Sequence, residues 1–523
     1  MKNRVIINGL RFPIDSTDED VIAAAEKRLC DGGVTFEKGT LHIHKKSVDA
    51  RRKDSISFVC SVIGETECTH SHSADIVIKE STTEELVRGT EKLDGRPLIV
   101  GFGPAGMFCA IALAKNGFRP IVFERGKDVD SRVEAVDNFY KTGVLDTDTN
   151  IQFGAGGAGT FSDGKLTTRI GDHRCSYILE MLVSLGAPED ILWKAKPHVG
   201  TDVLRNVVKN VDSLVKELGG EIRYETKVTE IGDDYVVADG ETIRSNCIVV
   251  ACGHSARDTY EMLMEKKFAM EAKPFSVGVR IEHLQRDIDA AMFGKAELYK
   301  KLGHAEYQLS YRQGNRGVYS FCMCPGGEVV AAASEEGTVV TNGMSRHSRN
   351  GRNANSAIAV SVLPEDFGGD PMAAIAFQRK LERAAFNSGG RDYSAPCQSF
   401  GAFVNDKRGG LGKRIKPTYC NGKVRVANLN NILPDFATDL LKTGIRRFGS
   451  MIRGFDAPDV PLTGLETRTS APLRIMRNEE FYAIGHKNIY PCGEGAGYAG
   501  GIMSAAADGL RVAEAVLARF ADN

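Results

Sequence analysis

The sequence lacks several features that would place a protein of this size in other classes. It has no run of about 20 apolar residues, so no transmembrane helix is expected. Residues 1–20 contain no apolar segment followed by a cleavage site, so no signal peptide is expected. Lysine and arginine (67) balance aspartate and glutamate (68), which gives no general attraction to nucleic acid or to an anionic membrane. The 12 cysteines form no CxxC motif, a pattern typical of a reduced, cytoplasmic protein.

The composition describes a folded chain of several domains. At about 150 residues per domain, 523 residues suggest two to four domains. Apolar residues make up 42%, and the 56 glycines exceed the usual share of about 7%, which indicates glycine-rich loops. We predict an α/β fold with an N-terminal α+β domain (1–90) and a dinucleotide-binding domain (91–273 and 465–523). An inserted α+β substrate domain (274–464) lies between the two parts of the binding domain.

A glycine motif lies between a short apolar strand and a helix. Gly101, Gly103 and Gly106 form GxGxxG. The first glycine allows a tight turn, the second lets the backbone approach a pyrophosphate, and the third lets helix and strand pack closely. Glu124 ends the next apolar strand, on the order of 20 residues later, where a carboxylate can bind a ribose. The pattern predicts a dinucleotide site that disfavours NADP, but it does not separate NAD from FAD.

The wider sequence resembles the FAD-dependent oxidoreductases of the glutathione-reductase-like superfamily. GFGPAG (101–106) with VFERG (122–126) is similar to their FAD fingerprint, in which the acid binds the ADP ribose. KVTEI (227–231) resembles the strand whose backbone meets the adenine. VVACGHSARD (249–258) resembles a strand end that usually carries threonine in place of cysteine. YPCGEGAGYAGGI (490–502) resembles the closing motif, with glutamate where aspartate is common, and this acid would bind the ribityl or pyrophosphate side.

An uncharacterised bacterial group of FAD-dependent dehydrogenases resembles the chain more closely, over nearly its whole length. The shared strings include FGAGGAGTFSDGKL (153–166), FCMCPGG (321–327), GLETRTSAPLRI (464–475) and GEGAGYAGGIMSAAADG (493–509). The resemblance implies a Rossmann-type FAD-binding domain, bound FAD, and NAD(P)H as a candidate transient co-substrate. It does not supply the substrate.

The resemblance assigns a set of cofactor-binding residues. They are Gly101, Gly103, Pro104, Ala105, Gly106, Glu124, Arg125, Gly156, Gly157, Gly159, Ser162, Lys165, Val228, Cys252, Gly253, Gly493, Glu494, Gly500, Gly501 and Ile502. The helix that follows Gly501 is expected to point its N-terminus at the flavin, because a reduced flavin carries negative charge near N1 and O2. The alternative is an ordinary helix start with small residues for packing.

Five residues are candidates for catalysis, namely Lys165, His254, Cys324, Arg468 and Arg474. The lysine could neutralise a phosphate or hydrogen-bond flavin N5, or it is simply solvated. The two arginines suit a carboxylate or phosphate on the substrate, or they are structural and pair with acids such as Glu466. Either His254 or His347 could protonate a substrate carbon after hydride transfer, although a structural or solvated histidine is the simpler interpretation.

The cysteine pair Cys322 and Cys324 has two interpretations. Either one thiol, with Cys324 as the candidate, lies against the flavin as a nucleophile, or both are small buried residues. No second Cys/His pair with ligand spacing accompanies them, so no metal site is expected.

The segment KKSVDARRK (45–53) carries five basic residues. It is a solvated hairpin, a docking patch or an RNA-binding edge, and the absence of interleaved aromatic residues favours the solvated hairpin. We predict an FAD-dependent oxidoreductase that moves a hydride or electrons between a small organic substrate and a nicotinamide or another donor or acceptor. The alternatives are a flavin-containing RNA- or protein-binding redox sensor that uses Arg51, Arg52 and Lys53, and a flavin enzyme that acts on RNA or on a biosynthetic intermediate. The oligomeric state stays open.

Overall fold

A computed structural model describes residues 2–80, 88–168 and 170–521. The N-terminal part contains the elements β1 (Asn3–Pro13), α1 (Asp18–Asp31), β2 (His42–Asp49), β3 (Ser57–Thr66) and β4 (Ile76–Lys79). The four strands form an antiparallel sheet in the order β2-β3-β1-β4. Helix α1 covers one face because its apolar residues Val21, Ala25 and Leu29 recur every four positions and are buried.

The next part of the chain alternates strands and helices. Its elements are β5 (Leu98–Val100), α2 (Pro104–Lys115), β6 (Ile121–Phe123), α3 (Val129–Thr142), α4 (Arg174–Ser184), α5 (Thr201–Glu217), β7 (Glu221–Arg223), β8 (Val228–Ile231), β9 (Tyr235–Ala238), β10 (Glu241–Arg244), β11 (Ile248–Val250) and α6 (Arg257–Glu265). Strands β8, β9 and β10 form a small antiparallel sheet.

The following elements build a second, larger sheet. They are β12 (Met270–Ala272), β13 (Phe275–Leu284), α7 (Gln285–Phe293), α8 (Tyr299–Leu302), β14 (Ser310–Gln313), β15 (Arg316–Cys324), β16 (Glu328–Ala331), β17 (Thr341–Met344), β18 (Asn353–Val362), α9 (Pro371–Ser388), β19 (Ala395–Ser399), α10 (Phe400–Val404), β20 (Val424–Val426), α11 (Asp435–Met451) and β21 (Pro461–Glu466). Seven of these strands pair in the order β14-β15-β18-β13-β21-β19-β20. The sheet is antiparallel except where β19 meets β20.

The C-terminal part returns to the first α/β unit. It contains β22 (Leu473–Ile475), β23 (Ile489–Pro491) and α12 (Ile502–Arg519). Strand β23 completes a five-stranded parallel sheet in the order β23-β11-β5-β6-β7. The three central strands β11, β5 and β6 are wholly apolar and buried, as expected for a parallel sheet covered by helices on its faces. The α/β fold predicted from the sequence is therefore confirmed, whereas the domain boundaries stay a prediction.

Two apolar cores hold the parallel sheet and the seven-stranded sheet. Helices α2, α5 and α12 pack on the parallel sheet, and α2 lies directly against α12. Helices α9 and α11 cover the seven-stranded sheet. The carboxyl ends of β5, β6 and β11 face a space whose other side is formed by β15. Among the described residues, no helix combines the length and the apolar content needed to cross a bilayer.

Candidate functional site

A cavity of about 840 Å³ lies at the carboxyl ends of the parallel strands. It falls within the roughly 300–1,000 Å³ range of small-molecule and cofactor sites. One wall comes from the GxGxxG turn, and the opposite wall comes from β15 and the segments beside it. The predicted site residues that line it are Gly101, Gly103, Pro104, Ala105, Glu124, Arg125, Gly157, Gly159, Ser162, Lys165, Val228, Cys252, Gly253, His254, Arg468, Glu494, Gly500, Gly501 and Ile502.

Each of the three glycines of the GxGxxG turn has a different structural role. Gly101 has a φ of +106°, and a Cβ atom there would lie 2.4 Å from the carbonyl oxygen of Ala251. A Cβ atom on Gly106 would lie 2.0 Å from the carbonyl oxygen of Gly101, so Gly106 packs helix against strand and does not line the cavity. Gly103 is open, since a Cβ atom there would meet only Gly157, at 3.9 Å. The turn therefore offers bare backbone at the N-terminus of α2, which suits a pyrophosphate.

Glu124 fixes the backbone around this turn. Its carboxylate is buried and accepts hydrogen bonds from the N–H groups of Phe102 (3.0 Å), Gly126 (3.0 Å) and Gly154 (2.9 Å). It also lines the cavity. A carboxylate has about four acceptor positions, so one position is left for a ribose hydroxyl.

Arg125, the neighbour of Glu124, is held in place by an ion pair. Its guanidinium bonds both carboxylate oxygens of Asp258, at 3.0 and 2.9 Å, and stacks 4.3 Å from the centre of the Phe153 ring. Asp258 therefore balances the charge of Arg125 before any ligand binds. The planar guanidinium contributes a flat face to the wall of the cavity.

The second glycine loop, residues 150–165, is held in shape by a buried arginine that was not predicted from the sequence. Arg132 of α3 is fully buried, and its guanidinium donates to the carbonyl oxygens of Asn150 (2.9 Å), Ile151 (3.0 Å) and Ala155 (2.7 Å). It also donates to the carbonyl of Gly157 at 3.0 Å. The arginine therefore shapes the loop that faces Gly103, although it does not line the cavity itself.

Not every glycine of this loop reaches the cavity. A Cβ atom on Gly156 would lie 2.1 Å from Oγ1 of Thr160, so this glycine serves the tight packing of the loop. Gly157 and Gly159 do line the cavity, at the start of a short 3₁₀ turn (Gly157–Phe161).

The C-terminal motif brings a helix N-terminus to the same cavity. Gly500, Gly501 and Ile502 line it at the start of α12. Gly493 does not line it but packs against Ala105, since a Cβ atom on Gly493 would lie 2.6 Å from the Cβ of Ala105. Its N–H donates to Asp508 at 2.7 Å.

Asp508 and Arg477 support this motif and were not predicted from the sequence. The guanidinium of Arg477 bonds both oxygens of Asp508, at 2.9 and 2.7 Å, and stacks 3.7 Å from the centre of the Tyr498 ring. The pair pins the first turns of α12 to the loop that carries Glu494. Burial raises the pKa of Glu494 to about 7, although Lys273 opposes the shift.

Lys165 lies in a buried charged cluster. Its Nζ is 2.7 Å from a carboxylate oxygen of Asp163 and 3.6 Å from Glu306. Arg349 pairs with the same two acids. Although burial opposes the charged form, Asp163 and Glu306 raise the pKa of Lys165, so the lysine stays a cation at the cavity wall. The solvated alternative is therefore wrong.

The two candidate histidines do not fit the role of a proton donor. Burial lowers the pKa of His254 to about 4, helped by Arg468 and Arg257, so its imidazole is neutral near pH 7. His347 does not line the cavity. It stacks on His198 with ring centres 5.2 Å apart and bonds the carbonyl of Val199 at 3.1 Å. These contacts describe a structural histidine.

The two candidate arginines occupy different places. Arg468 lines the cavity, but its guanidinium bonds both oxygens of Glu382, at 3.1 and 3.0 Å. Arg257 shares Glu382 at 2.8 Å, so the structural partner is Glu382 and not the expected Glu466. Arg474 does not line the cavity and pairs with Glu271 at 2.8 Å on the neighbouring strand β12. The expectation of a joint anion site at the two arginines is therefore wrong.

The cysteine that faces the cavity is not the one expected. Cys322 lines it, together with Met323, whereas Cys324 is fully buried and does not. The cause is an irregularity in the pairing of β15 with β18, where three steps along β15 match two along β18. The bulge turns the side chain of Cys322 towards the cavity.

The basic segment of the N-terminal unit is partly neutralised by nearby acids. Arg51 bonds both oxygens of Asp49, at 2.8 and 2.6 Å, and Arg52 lies 3.5 Å from Asp54. These contacts fit an exposed, ion-paired turn and do not favour a nucleic-acid surface. In the described part of the chain, no cluster of three His, Cys, Asp or Glu residues could hold a metal ion.

The residues of the cavity fit an FAD molecule. The open backbone at Gly103, the acceptor position left on Glu124 and the N-terminus of α12 match the pyrophosphate, a ribose and an electron-rich ring edge, respectively. Lys273 adds a half-buried cation to the lining.

Comparison with known proteins points to an FAD-dependent family. Residues 274–469 match the family model described as "FAD-dependent protein, C-terminal domain-like". An uncharacterized protein of Clostridium beijerinckii is 46% identical over 531 aligned positions, which cover 98% of each chain. These findings confirm the coarser part of the resemblance, an FAD-dependent family, while dehydrogenase activity stays a prediction.

Solved structures give weaker likenesses. The chain is 10% identical to CtdE in complex with FAD, covering 82% of this chain and 84% of that one, with a TM-score of 0.32. It is 13% identical to a triple mutant of the flavin-dependent brominase Bmp2, covering 81% of each chain, with a TM-score of 0.35. Both TM-scores are too low to establish a shared fold.

Proposed function

Because this chain belongs to the same family of FAD-dependent proteins as its Clostridium beijerinckii relative, we propose that it is an FAD-dependent oxidoreductase. It would move a hydride or an electron pair between a small organic substrate and a second partner, for which a nicotinamide is the first candidate. FAD, when bound, would supply a carrier that accepts and returns an electron pair.

One observation carries this proposal. A single cavity connects the glycine turn at Gly101 and Gly103 with strand β15 of the seven-stranded sheet at Ser320, Phe321 and Cys322. The glycine side suits the dinucleotide, and the opposite side mixes apolar and polar groups, which suits an organic molecule. A substrate on that side would share a water-poor space with the cofactor.

The residues around the cavity supply positioning and charge. The N-terminus of α12 offers unpaired N–H groups and the positive end of a helix dipole, which would favour negative charge next to Gly501. The Lys165 cation, held by Asp163, would act in the same direction. The buried arginines Arg257 and Arg468 are matched by Glu382 and Glu335, so they hold the wall without drawing an anion by themselves.

The experiment is an anaerobic titration of the purified protein with NADH and then NADPH, followed by visible absorption. We expect a flavin spectrum that bleaches with one of the two donors. If the flavin spectrum persists with both, neither NADH nor NADPH is the donor. The oxidoreductase activity would then be tested by substrate dehydrogenation. No flavin spectrum, even after incubation with added FAD, would overturn the proposal.

A further inference from the structure

Strand β15 is distorted at one point, next to the cavity. Phe321 pairs with Ala357 and Cys324 pairs with Asn355, so one extra residue is accommodated between them. Cys322 has a φ of +45°, which is rare for a residue with a side chain. Strain of this kind is retained where the surrounding structure enforces it, often at functional sites.

Two groups hold the backbone of Cys322 in this conformation. Its carbonyl oxygen accepts from Nη1 of Arg280 at 2.9 Å and from the thiol of Cys324 at 3.3 Å. Arg280 is fully buried, and Glu466 fixes it through two hydrogen bonds of 2.8 Å. The bulge is therefore a rigid feature that presents the Cys322 sulfur to the cavity and keeps Cys324 behind it.

The surroundings shift the pKa values of the two thiols in opposite directions. The interaction with the Cys324 side chain lowers the pKa of Cys322, with help from the cations Arg280 and Lys165 and against the burial of the thiol and the charge of Asp163. The same interaction raises the pKa of Cys324. Cys252 lines the same cavity, but burial raises its pKa to about 12.

We propose that Cys322 and Cys324 form a redox-active dithiol on the substrate side of the cavity, and that this dithiol reduces a small disulfide. Cys322 is the attacking thiolate, because it faces the cavity beside two cations. Cys324 is the resolving thiol, because it lies two residues from Cys322, donates to the Cys322 carbonyl oxygen at 3.3 Å and is fully buried, so that no substrate can reach it directly. The dithiol step stands on these residues alone, and only its coupling to FAD rests on the function proposed above.

The reaction is a pair of thiol–disulfide exchanges. The Cys322 thiolate attacks one sulfur of the substrate, the substrate S–S bond breaks, a mixed disulfide forms, and the first substrate thiolate leaves and takes a proton. Cys324 then loses its proton and attacks the Cys322 sulfur, which releases the second substrate thiolate and closes a Cys322–Cys324 disulfide. The substrate gains two electrons and the pair loses two. FAD, when bound and reduced, would supply the two electrons that, with two protons, restore both thiols of the Cys322–Cys324 pair.

Hydroxyethyl disulfide is a suitable probe, because it is small and uncharged. The purified flavoprotein is reduced, freed of reductant, exposed to the probe, quenched with acid and alkylated, and its peptides are identified by mass spectrometry. We expect an internal Cys322–Cys324 disulfide in the wild type and a stable mixed disulfide on Cys322 in the Cys324→Ser variant. Cys322→Ser should leave Cys324 unmodified.

Other cysteines of the chain provide the controls. Cys252 should stay unmodified although it lines the same cavity, and Cys30, which is exposed on α1, should react slowly and equally in all variants. Wild-type protein in which Cys322 and Cys324 both stay reduced while Cys30 reacts would overturn the proposal. So would a mixed disulfide on Cys322 that Cys324 never resolves. If a variant fails to fold, the wild-type peptides alone decide.

A second measurement tests the coupling to FAD separately. In an anaerobic reductive titration, oxidised wild-type holoenzyme should take up twice as many electrons per flavin as Cys324→Ser. Equal uptake would remove the coupling and leave a dithiol without a flavin partner. A protein that binds no flavin even after incubation with FAD, but still closes the Cys322–Cys324 disulfide with the probe, would mean that the proposed function fails while the dithiol chemistry stands.

Discussion

The carboxylate of Glu124 accepts a hydrogen bond from the N–H of Gly154 at 2.9 Å, and this contact joins the two glycine loops of the cavity. The same carboxylate holds the N–H of Phe102 in the first loop. A residue expected to bind a ribose therefore also sets the spacing between the GxGxxG turn and the loop opposite. Loss of the carboxylate should affect folding and cofactor binding together.

The Glu124→Gln variant tests this double role. An amide has one oxygen acceptor, and its NH₂ group would face a backbone donor, so at least one buried N–H would lose its partner at a cost of about 1–3 kcal/mol. We expect a lower urea midpoint and a lower ratio of flavin to protein. Glu134→Gln, at an exposed position of α3, is the control and should change neither quantity. A variant with normal stability and normal flavin content would contradict the assignment.

A pair of glycine substitutions separates cofactor binding from packing. An alanine at Gly103 has room within the protein but projects towards the cavity, since its nearest neighbour is Gly157 at 3.9 Å. We expect Gly103→Ala to fold normally and to bind much less flavin. An alanine at Gly106 would meet the carbonyl of Gly101 at 2.0 Å, so Gly106→Ala should lose stability even without cofactor. Thermal unfolding of both proteins after flavin removal is the measurement, and equal losses of stability would contradict this distinction.

The parts of the site that could be predicted from the sequence are those set by local pattern. The GxGxxG turn needs a strand, three glycines and a helix in succession, and the sequence places Gly101, Gly103 and Gly106 in that order. The glycines at the start of α12 are predictable for the same reason. In each case the chemistry depends on bare backbone, and glycine at fixed spacing is a direct sign of it.

The parts that could not be predicted depend on contacts between distant segments. Arg132 lies in a polar stretch, and only the fold brings the carbonyls of the glycine loop around it. Arg468 could not be matched with Glu382, which lies on α9, far away in sequence. The choice between Cys322 and Cys324 depends on a single bulge, which no residue pattern indicates. Pairing and register of this kind are tertiary properties.

The two arginines once expected to act together should respond very differently to substitution. Arg468 is buried and shares Glu382 with Arg257, so Arg468→Met would remove part of a buried ionic network at a cost on the order of 3 kcal/mol. Arg474 is partly exposed and pairs with Glu271, so Arg474→Met should cost less than about 1 kcal/mol and leave the flavin content unchanged. Urea unfolding of the two variants measures both losses of stability. A larger loss in Arg474→Met than in Arg468→Met would contradict the prediction.

The buried His283 should make stability depend on pH, independently of the cavity. Its Nε2 lies 2.8 Å from the carbonyl of Phe455, and burial lowers its pKa to about 4, against roughly 6.5 for an unfolded histidine. Below about pH 6.5 His283 is protonated in the unfolded chain but stays neutral in the folded chain. The free energy of unfolding therefore falls as the pH drops from about 6.5 towards 4. Between about pH 7 and pH 5 this single group should account for roughly 2 kcal/mol.

The His283→Gln variant isolates that contribution. Other acids and histidines titrate over the same range, so the quantity to compare is the loss of stability between the two pH values in the wild type and in the variant. We expect the loss to be smaller in His283→Gln by roughly 2 kcal/mol, because glutamine cannot take up a proton in the unfolded state. His173→Gln is the matched control, since that side chain is 69% exposed, and it should keep the wild-type loss. If His283→Gln lost as much stability as the wild type on acidification, the folded protein would already be binding that proton, and the buried imidazole would have to be charged.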